Sequence, residues 1–187
     1  MNDGQGTTDR IDRNGITIRA VHGDIADQPD ADAVVNAANP ELTIGGGVAG
    51  ALHRAAGPGL ATEAVPLGPI RPSEAVTTGG HRLPNRYVIH VLGPVFGVDE
   101  PAEELLAACY RNVLHEAERH AARVVAVPAV STGAYGYPFD DGARVAVRTV
   151  LDQLPELRTV REVRFVLYTP RETDRFQQVL AEVAATP

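Results

Sequence analysis

The most informative part of the sequence is Val34-Val35-Asn36-Ala37-Ala38-Asn39-Pro40, which Gly45-Gly46-Gly47-Val48 follows closely. An apolar run enters a polar turn, and three successive glycines then precede a predicted helix. Glycine allows positive φ and close approach of a ligand to the backbone, and the first turn of a helix offers free N–H groups at its positive end. The pattern favours a cradle for a phosphate or a ribose, although glycine triplets also occur in loops that bind nothing.

A second glycine-containing loop reads Ser131-Thr132-Gly133-Ala134-Tyr135-Gly136-Tyr137-Pro138, between the apolar run Arg123–Ala129 and a predicted helix. Its backbone N–H groups and hydroxyls suit a pyrophosphate, and the ring of Tyr135 suits an adjacent sugar. Ligands of open α/β sheets bind where loops leave the carboxyl ends of the strands. Two such loops after two strands therefore predict one cleft between them.

Short apolar runs alternate with longer amphipathic runs along the whole chain. The predicted strands are Ile16–Val21, Ala33–Asn36, Glu74–Thr78, Tyr87–Leu92, Arg123–Ala129 and Val163–Tyr168. The predicted helices are Val48–Ala56, Glu100–His120, Asp140–Gln153 and Arg171–Ala184. Several strands are apolar nearly throughout, which is typical of strands covered on both faces. The alternation predicts a three-layer α/β/α sandwich with a mixed, largely parallel central sheet.

The composition suits one globular domain. Of 187 residues, 44% are hydrophobic and 22% are charged, which are ordinary values for such a domain. We predict a flexible tail over residues 1–14 and a single domain over residues 15–187, with no apolar run near the roughly 20 residues that span a bilayer. The tail has no apolar segment typical of a secretory signal, and one cysteine, Cys109, fits a reducing cytoplasm. We therefore expect a cytoplasmic protein without membrane contact, and a monomer.

The charges exclude one class of enzyme and disfavour one class of partner. The net charge of −7 disfavours non-specific binding of nucleic acid through its phosphates. All 17 basic residues are arginine. A Walker loop ends in Gly-Lys-Ser/Thr, so the absence of lysine excludes a P-loop NTPase.

Histidines and acidic pairs have simpler explanations than catalysis or metal binding. His115 and His120 lie five residues apart, which does not match a metal-binding His-Glu-x-x-His helix, so no metal site is expected. We interpret His90 as a hydrogen-bonded core residue and His53 as structural or facing the rim. The pair Asp140-Asp141 is expected to cap the third predicted helix, and Thr169 or Thr173 the last.

Four motifs together resemble one protein family. Two of them are the loops quoted above, and the other two are Gly23-Asp24-Ile25 and the strand Tyr87–Leu92 with Gly93-Pro94. In this order and spacing they resemble the macrodomains, above all the branch of ADP-ribosyl and O-acetyl-ADP-ribose hydrolases. The resemblance covers Ile16 to Ala184 and implies the macrodomain fold, a site for ADP-ribose and ADP-ribosylated substrates, and no cofactor.

The resemblance also implies a role for individual residues. Asp24 would accept from the adenine amino group, the Ile25 N–H would support that edge, and Tyr168 would stack on the base. Asn39 and Tyr135 would hold the distal ribose and carry the catalytic roles, while Asn36 would tie the loop together. The residues expected to surround the pyrophosphate and the ribose are Gly45, Gly46, Gly47, Val48, Ser131, Thr132, Gly133, Ala134, Tyr135 and Gly136. An alternative for the adenine stack is Phe165 or Phe176, with Tyr168 buried.

One position departs from the hydrolase branch. That branch commonly has an aspartate after Gly-Gly-Gly-Val, where this chain has Ala49. The resemblance still implies hydrolysis of ester-linked ADP-ribose, with a ligand phosphate positioning the water, because correct placement alone lowers a barrier substantially. A covalent route through lysine is excluded because the chain has no lysine. The alternatives are a reader that binds ADP-ribose without turnover, and an eraser of ADP-ribose on nucleic acid.

Overall fold

The computed structural model describes residues 8–186, which contain one seven-stranded sheet. The strands are β1 (Arg10–Arg13), β2 (Ile16–His22), β3 (Ala33–Ala37), β4 (Ala75–Gly79), β5 (Tyr87–Val91), β6 (Val124–Val127) and β7 (Glu162–Leu167). They lie in the order β1-β2-β7-β6-β3-β5-β4. The five inner strands are parallel, and the two edge strands are antiparallel to their neighbours. The sheet is therefore mixed and largely parallel, as predicted.

Five α-helices cover the two faces of the sheet. They are α1 (Gly47–Ala56), α2 (Pro58–Ala64), α3 (Ala102–Arg119), α4 (Phe139–Gln153) and α5 (Pro170–Ala185). The apolar residues of α3, α4 and α5 form one core with one face of the sheet. Those of α1 and α2 form a second core with the opposite face. This arrangement confirms the predicted three-layer α/β/α sandwich.

The tail predicted for residues 1–14 needs a correction. Arg10–Arg13 form the edge strand β1, which pairs with β2 in the register Arg10↔Arg19 to Arg13↔Ile16. Ile11 packs against the core beneath it, and Arg10 forms an ion pair with Asp12. A single apolar residue in a charged run gave no periodic signal, so the strand depends on its partner. Residues 1–7 of the predicted tail lie outside the described residues.

The helix caps follow the prediction at one helix and differ at another. Thr169 caps α5 in a reciprocal pair with Glu172: its hydroxyl accepts from the Glu172 N–H at 3.2 Å, and the carboxylate accepts from the Thr169 N–H at 3.1 Å. The prediction that Asp140 or Asp141 caps α4 is wrong. Pro138 occupies the cap position, and Asp140 in the first turn forms an ion pair with Arg175 of α5 instead.

The chain order places two loops side by side at one edge of the sheet. After β3 the chain builds β4 and β5 on one side, and it then returns to form β6 and β7 on the other side of β3. Where the strand order reverses in this way, a crevice opens at the carboxyl ends of the strands. The loop after β3, residues 38–46 (the first loop), and the loop after β6, residues 128–138 (the second loop), lie at that point. Within residues 8–186, no helix is both long and apolar enough to cross a membrane.

Candidate functional site

The ends of β2 and β7 bring Asp24 and Tyr168 close together. The Gly23 N–H donates to the Leu167 carbonyl at 2.9 Å, and His22 Nε2 lies 3.2 Å from the Tyr168 carbonyl oxygen. The Asp24 side chain is exposed, and its Oδ1 accepts from the Ala26 N–H at 2.9 Å. One carboxylate oxygen is thereby fixed in the turn, which leaves the other to face an incoming donor.

Tyr168 presents an accessible aromatic ring where β2 and β7 end. Its exposed fraction is 78%, whereas Phe165 and Phe176 are fully buried. These two phenylalanines contact one another with ring centroids 4.6 Å apart. Neither buried ring has a free face for a base, so the sequence-based alternative to Tyr168 is wrong.

In the first loop, the two asparagines of the Asn-Ala-Ala-Asn motif have different partners. The Asn39 amide is held by Thr43: Nδ2 donates to the Thr43 carbonyl and Oδ1 accepts from the Thr43 N–H, each at 3.0 Å. Asn36 is fully buried, and its Nδ2 lies 3.1 Å from Nδ1 of His90 on β5. Asn39 therefore closes the loop, and Asn36 joins β3 to β5. The prediction that Asn36 ties the loop together is wrong, because Asn39 makes the hydrogen bonds that close the loop.

The glycines of the first loop leave the start of α1 open. Gly46 is its N-cap residue, and neither a side-chain cap nor an acidic residue occupies its first turn. Gly47 has φ of +52°, which favours glycine. A Cβ at Gly50 would lie 2.6 Å from the Gly45 carbonyl oxygen, so that glycine lets the loop approach the helix. The backbone N–H groups of this first turn, including that of Val48, are available to an anion.

The second loop contains a non-glycine residue in the left-handed region. Ser131 has φ of +65°, and its carbonyl accepts from the Tyr137 N–H at 3.0 Å, which closes the loop. A side chain at Gly93, after β5, would overlap Ser131 Oγ, so glycine there permits the close approach. Gly136 has φ of +70°. Non-glycine residues with positive φ often cluster at ligand sites. Thr132, Gly133 and Ala134 lie at the tip, where the two last are exposed.

Tyr135 connects the two loops. Its half-buried side chain packs against the small core that includes Ala38 and Leu42 of the first loop. Burial, together with the nearby carboxylates of Asp99 and Glu41, raises the pKa of the Tyr135 phenol. The hydroxyl therefore stays protonated at neutral pH and can donate a hydrogen bond.

The loop after β5 also reaches this edge, and the sequence analysis missed it. The Phe96 N–H donates to the Tyr135 carbonyl at 2.9 Å, and the Phe96 ring packs edge-on against Tyr137, with centroids 5.0 Å apart. Nearly half of Phe96 remains exposed. The available signal was an apolar pair directly after Gly93-Pro94, at the carboxyl end of a parallel strand.

A buried polar cluster lies beneath the first loop. His90 donates or accepts at both ring nitrogens, to Asn36 at 3.1 Å and to Thr78 Oγ1 at 2.9 Å, which confirms the prediction of a hydrogen-bonded core histidine. His53 of α1 is 3% exposed and does not face the rim, and its ring nitrogens have no hydrogen-bond partner among residues 8–186. Burial, and secondarily the neighbouring His53, lowers the pKa of His90 to about 4.

Acid should destabilise the fold through His90. Its pKa of about 4 lies below the ordinary value of 6.5, so the unfolded chain binds the proton at pH values where the folded chain does not. The free energy of unfolding should fall as the pH drops from about 6.5 to about 4, by on the order of 3 kcal/mol. Urea unfolding at several pH values measures this slope. His90→Gln, which does not titrate, should reduce this slope, and the part that remains comes from His53, whose pKa is also lowered by burial; an equal slope in this variant would contradict the assignment.

The site spans four neighbouring strands. The ends of β2 and β7 carry Asp24 and Tyr168, and the ends of β6 and β3 carry the two loops. With strands about 4.8 Å apart, β2 and β3 are separated by roughly 14 Å. The edge thus offers a carboxylate and a free aromatic face at one end, and open N–H groups at the other. A ligand with a base at one end and a phosphate-linked sugar at the other matches these groups.

Comparison with known proteins identifies the family of this chain. A family model described as Macro domain matches residues 35–146. The chain belongs to the macro domain family. A macro domain-containing protein of Chlorobaculum tepidum is 44% identical over 90% of this chain and 98% of its own length. An Oceanobacillus iheyensis macrodomain with ADP is 34% identical, covers 95% of this chain and 97% of its own, and has a TM-score of 0.90. A Trypanosoma brucei macrodomain in complex with ADP-ribose is 35% identical, covers 86% of this chain and 68% of its own, and has a TM-score of 0.80.

Proposed function

We propose that the cleft of this macrodomain binds ADP-ribose. The observation that carries the proposal is that two similar macrodomains have been solved with ADP and with ADP-ribose. Adenine would lie on Tyr168 with its amino group toward Asp24 and the neighbouring Ile25 N–H. The pyrophosphate would lie between the first-turn N–H groups of α1 and the tip of the second loop. The distal ribose would lie near Asn39 and Tyr135.

The proposed activity is hydrolysis of an ester that joins ADP-ribose to an acidic side chain or to acetate. Water would add to the ester, and free ADP-ribose and the carboxylic acid would be released. Ala49 is buried in the first turn of α1 and offers no base. A ligand phosphate would therefore orient the water, and Asn39 and Tyr135 would fix the ribose. This mechanism does without the aspartate that is common in the hydrolase branch, and because the chain has no lysine it is non-covalent.

Release of free ADP-ribose tests the enzyme directly. The protein is mixed with a protein that carries mono-ADP-ribosylated glutamate, and separately with O-acetyl-ADP-ribose, and free ADP-ribose is followed over time. Release above the rate of a buffer control supports the hydrolase. Binding without release would instead support a reader module, the alternative that Ala49 favours.

Calorimetry with ADP-ribose and with AMP tests how far the site extends. A site that includes the distal ribose should bind ADP-ribose more tightly than AMP. Equal affinity for the two ligands would contradict a role for Asn39 and Tyr135 in holding that ribose, while leaving the adenine end of the proposal intact.

Loss of the Tyr168 ring should weaken ADP-ribose binding about tenfold, since base–aromatic stacking contributes about 1–3 kcal/mol. The ring is 78% exposed, so Tyr168→Ala should change the stability of the fold little. Tyr168→Phe keeps the aromatic face and is the matched control. Calorimetry on the three proteins measures the effect, and equal affinities for the alanine and phenylalanine variants would exclude stacking.

We further propose a cytoplasmic monomer that needs no cofactor. Cys109 supports a reducing location: it is free and fully buried, and burial raises the pKa of its thiol to about 12. A thiol with such a pKa is protonated and unreactive at neutral pH. Its Sγ donates to the Leu92 carbonyl at 3.4 Å, which is a structural contact.

A further inference from the structure

A buried arginine on β7 is hydrogen-bonded to the loop that follows β2. The Arg164 side chain is 8% exposed. Its Nη1 and Nη2 donate to the two carboxylate oxygens of Asp30 at 2.8 and 2.7 Å, and its Nε donates to Glu162 at 2.7 Å. The guanidinium lowers the pKa of Asp30 to about 2. Burying a guanidinium is costly unless it is paired, so the position of Arg164 requires these partners and holds the loop against the sheet.

Gln28 extends this contact to the turn at Asp24. Its Oε1 accepts from Arg164 Nη1 at 3.1 Å, and its Nε2 donates to the Asp24 carbonyl at 2.9 Å. The residue is 8% exposed, and Asn85 donates to its backbone carbonyl at 2.7 Å. A Cβ at Gly23 would lie 3.3 Å from Gln28 Nε2, so the glycine leaves room for this side chain. The Gln28 amide is thus fully oriented, with its donor on Asp24 and its acceptor on Arg164.

The same strand also carries the proposed adenine platform. Residues 164, 166 and 168 alternate with their neighbours along β7 and its end, so they share one face. Val166, between them, lies in the core on the α1 side of the sheet. Arg164 therefore supports the Asp24 turn from the strand whose end presents Tyr168. The turn that carries the acceptor for the base edge and the ring beneath the base are thus both connected to β7, the turn through Gln28.

We infer that Gln28, held by Arg164, is a positioning residue that keeps Asp24 at the height of the base on Tyr168 and thereby sets the preference for adenine. The inference rests on the proposed function. Among residues 8–186, Gln28 forms no hydrogen bond with the first or second loop, so a substitution of Gln28 should affect only the recognition of the base. Stacking on Tyr168 tolerates any base, whereas a carboxylate that accepts from the adenine amino group rejects a base with a carbonyl at that position.

Two substitutions separate this role from general support of the loop. Gln28→Glu keeps the shape and the acceptor for Arg164 but removes the donor to the Asp24 carbonyl. Gln28→Met removes both contacts at a similar length. Val183→Ala, a truncation in the core on α5, controls for a loss of stability far from the turn. Each protein is titrated with ADP-ribose, with its hypoxanthine analogue and with ribose 5-phosphate, and thermal unfolding is recorded.

We expect the wild-type protein to prefer ADP-ribose over the hypoxanthine analogue, and both Gln28 variants to lower this ratio by about tenfold, the size of one hydrogen-bonded base contact. Affinity for ribose 5-phosphate and the ratio in Val183→Ala should not change. An unchanged ratio in Gln28→Glu, a parallel loss of ribose 5-phosphate binding, or a wild type indifferent to the base would overturn the inference. A wild type that does not bind ADP-ribose would instead overturn the proposed function.

Discussion

Replacing Asn39 by alanine should lower the rate of ADP-ribose release from an ester-linked substrate by about a hundredfold, because a small misplacement of a bound substrate costs that much. Asn39 stands at the start of the first loop, and one of its two amide hydrogens is used by the Thr43 carbonyl. The second is available to a ribose hydroxyl. The rate is measured with saturating substrate, so that the loss appears in kcat.

A control for this experiment tests the part of the loop closure that the Thr43 hydroxyl supplies. Asn39 also accepts from the Thr43 N–H and hydroxyl, so an alanine there loosens the loop as well. Thr43→Val removes the hydroxyl contact of 3.3 Å and keeps both backbone contacts. It should retain nearly full activity. If Thr43→Val loses as much as Asn39→Ala, loop closure explains the effect, and an unaltered rate in Asn39→Ala would show that the ribose is held by other groups.

The sheet was predictable where a strand is buried on both faces. Residues of β3 and β6 are apolar almost without interruption, so hydrophobicity alone indicates parallel inner strands. The edge strand β1 has one apolar residue in four and depends on pairing with β2. Helix α2 begins at Pro58-Gly59 and has only seven residues, which gave too short a pattern to predict a helix.

The candidate site was predictable in its loops but not in its supporting contacts. Glycine triplets and the Ser-Thr-Gly run indicate a ligand loop because they are local in sequence. The bond between Asn36 and His90 joins residues 54 positions apart, and that between Gln28 and Arg164 joins residues 136 apart. No spacing in a single sequence indicates such pairs. For the same reason, the hydrogen bonds that close the first loop were assigned to Asn36, although Asn39 makes them.

Ala49→Asp should raise the rate of ADP-ribose release by about a hundredfold or more, since a general base contributes about 10²–10⁴. Ala49 lies in the first turn of α1, where a carboxylate is favoured by the helix dipole. His53 is one turn further along the same helix, and both of its ring nitrogens lack a partner among residues 8–186. An aspartate at position 49 would have that imidazole as a neighbour four residues away, which would fix its orientation.

Ala49→Asn is the matched control, because it has the size of aspartate without a base. Release of free ADP-ribose from a glutamate-linked substrate is compared for the three proteins, together with their affinity for ADP-ribose. A gain confined to the aspartate variant would mean that the cleft already positions substrate and water. It would also mean that, in the wild type, the ligand phosphate takes the role that the aspartate has in the hydrolase branch. Equal rates for the aspartate and asparagine variants would mean that the reacting bond lies out of reach of position 49, and would favour the reader.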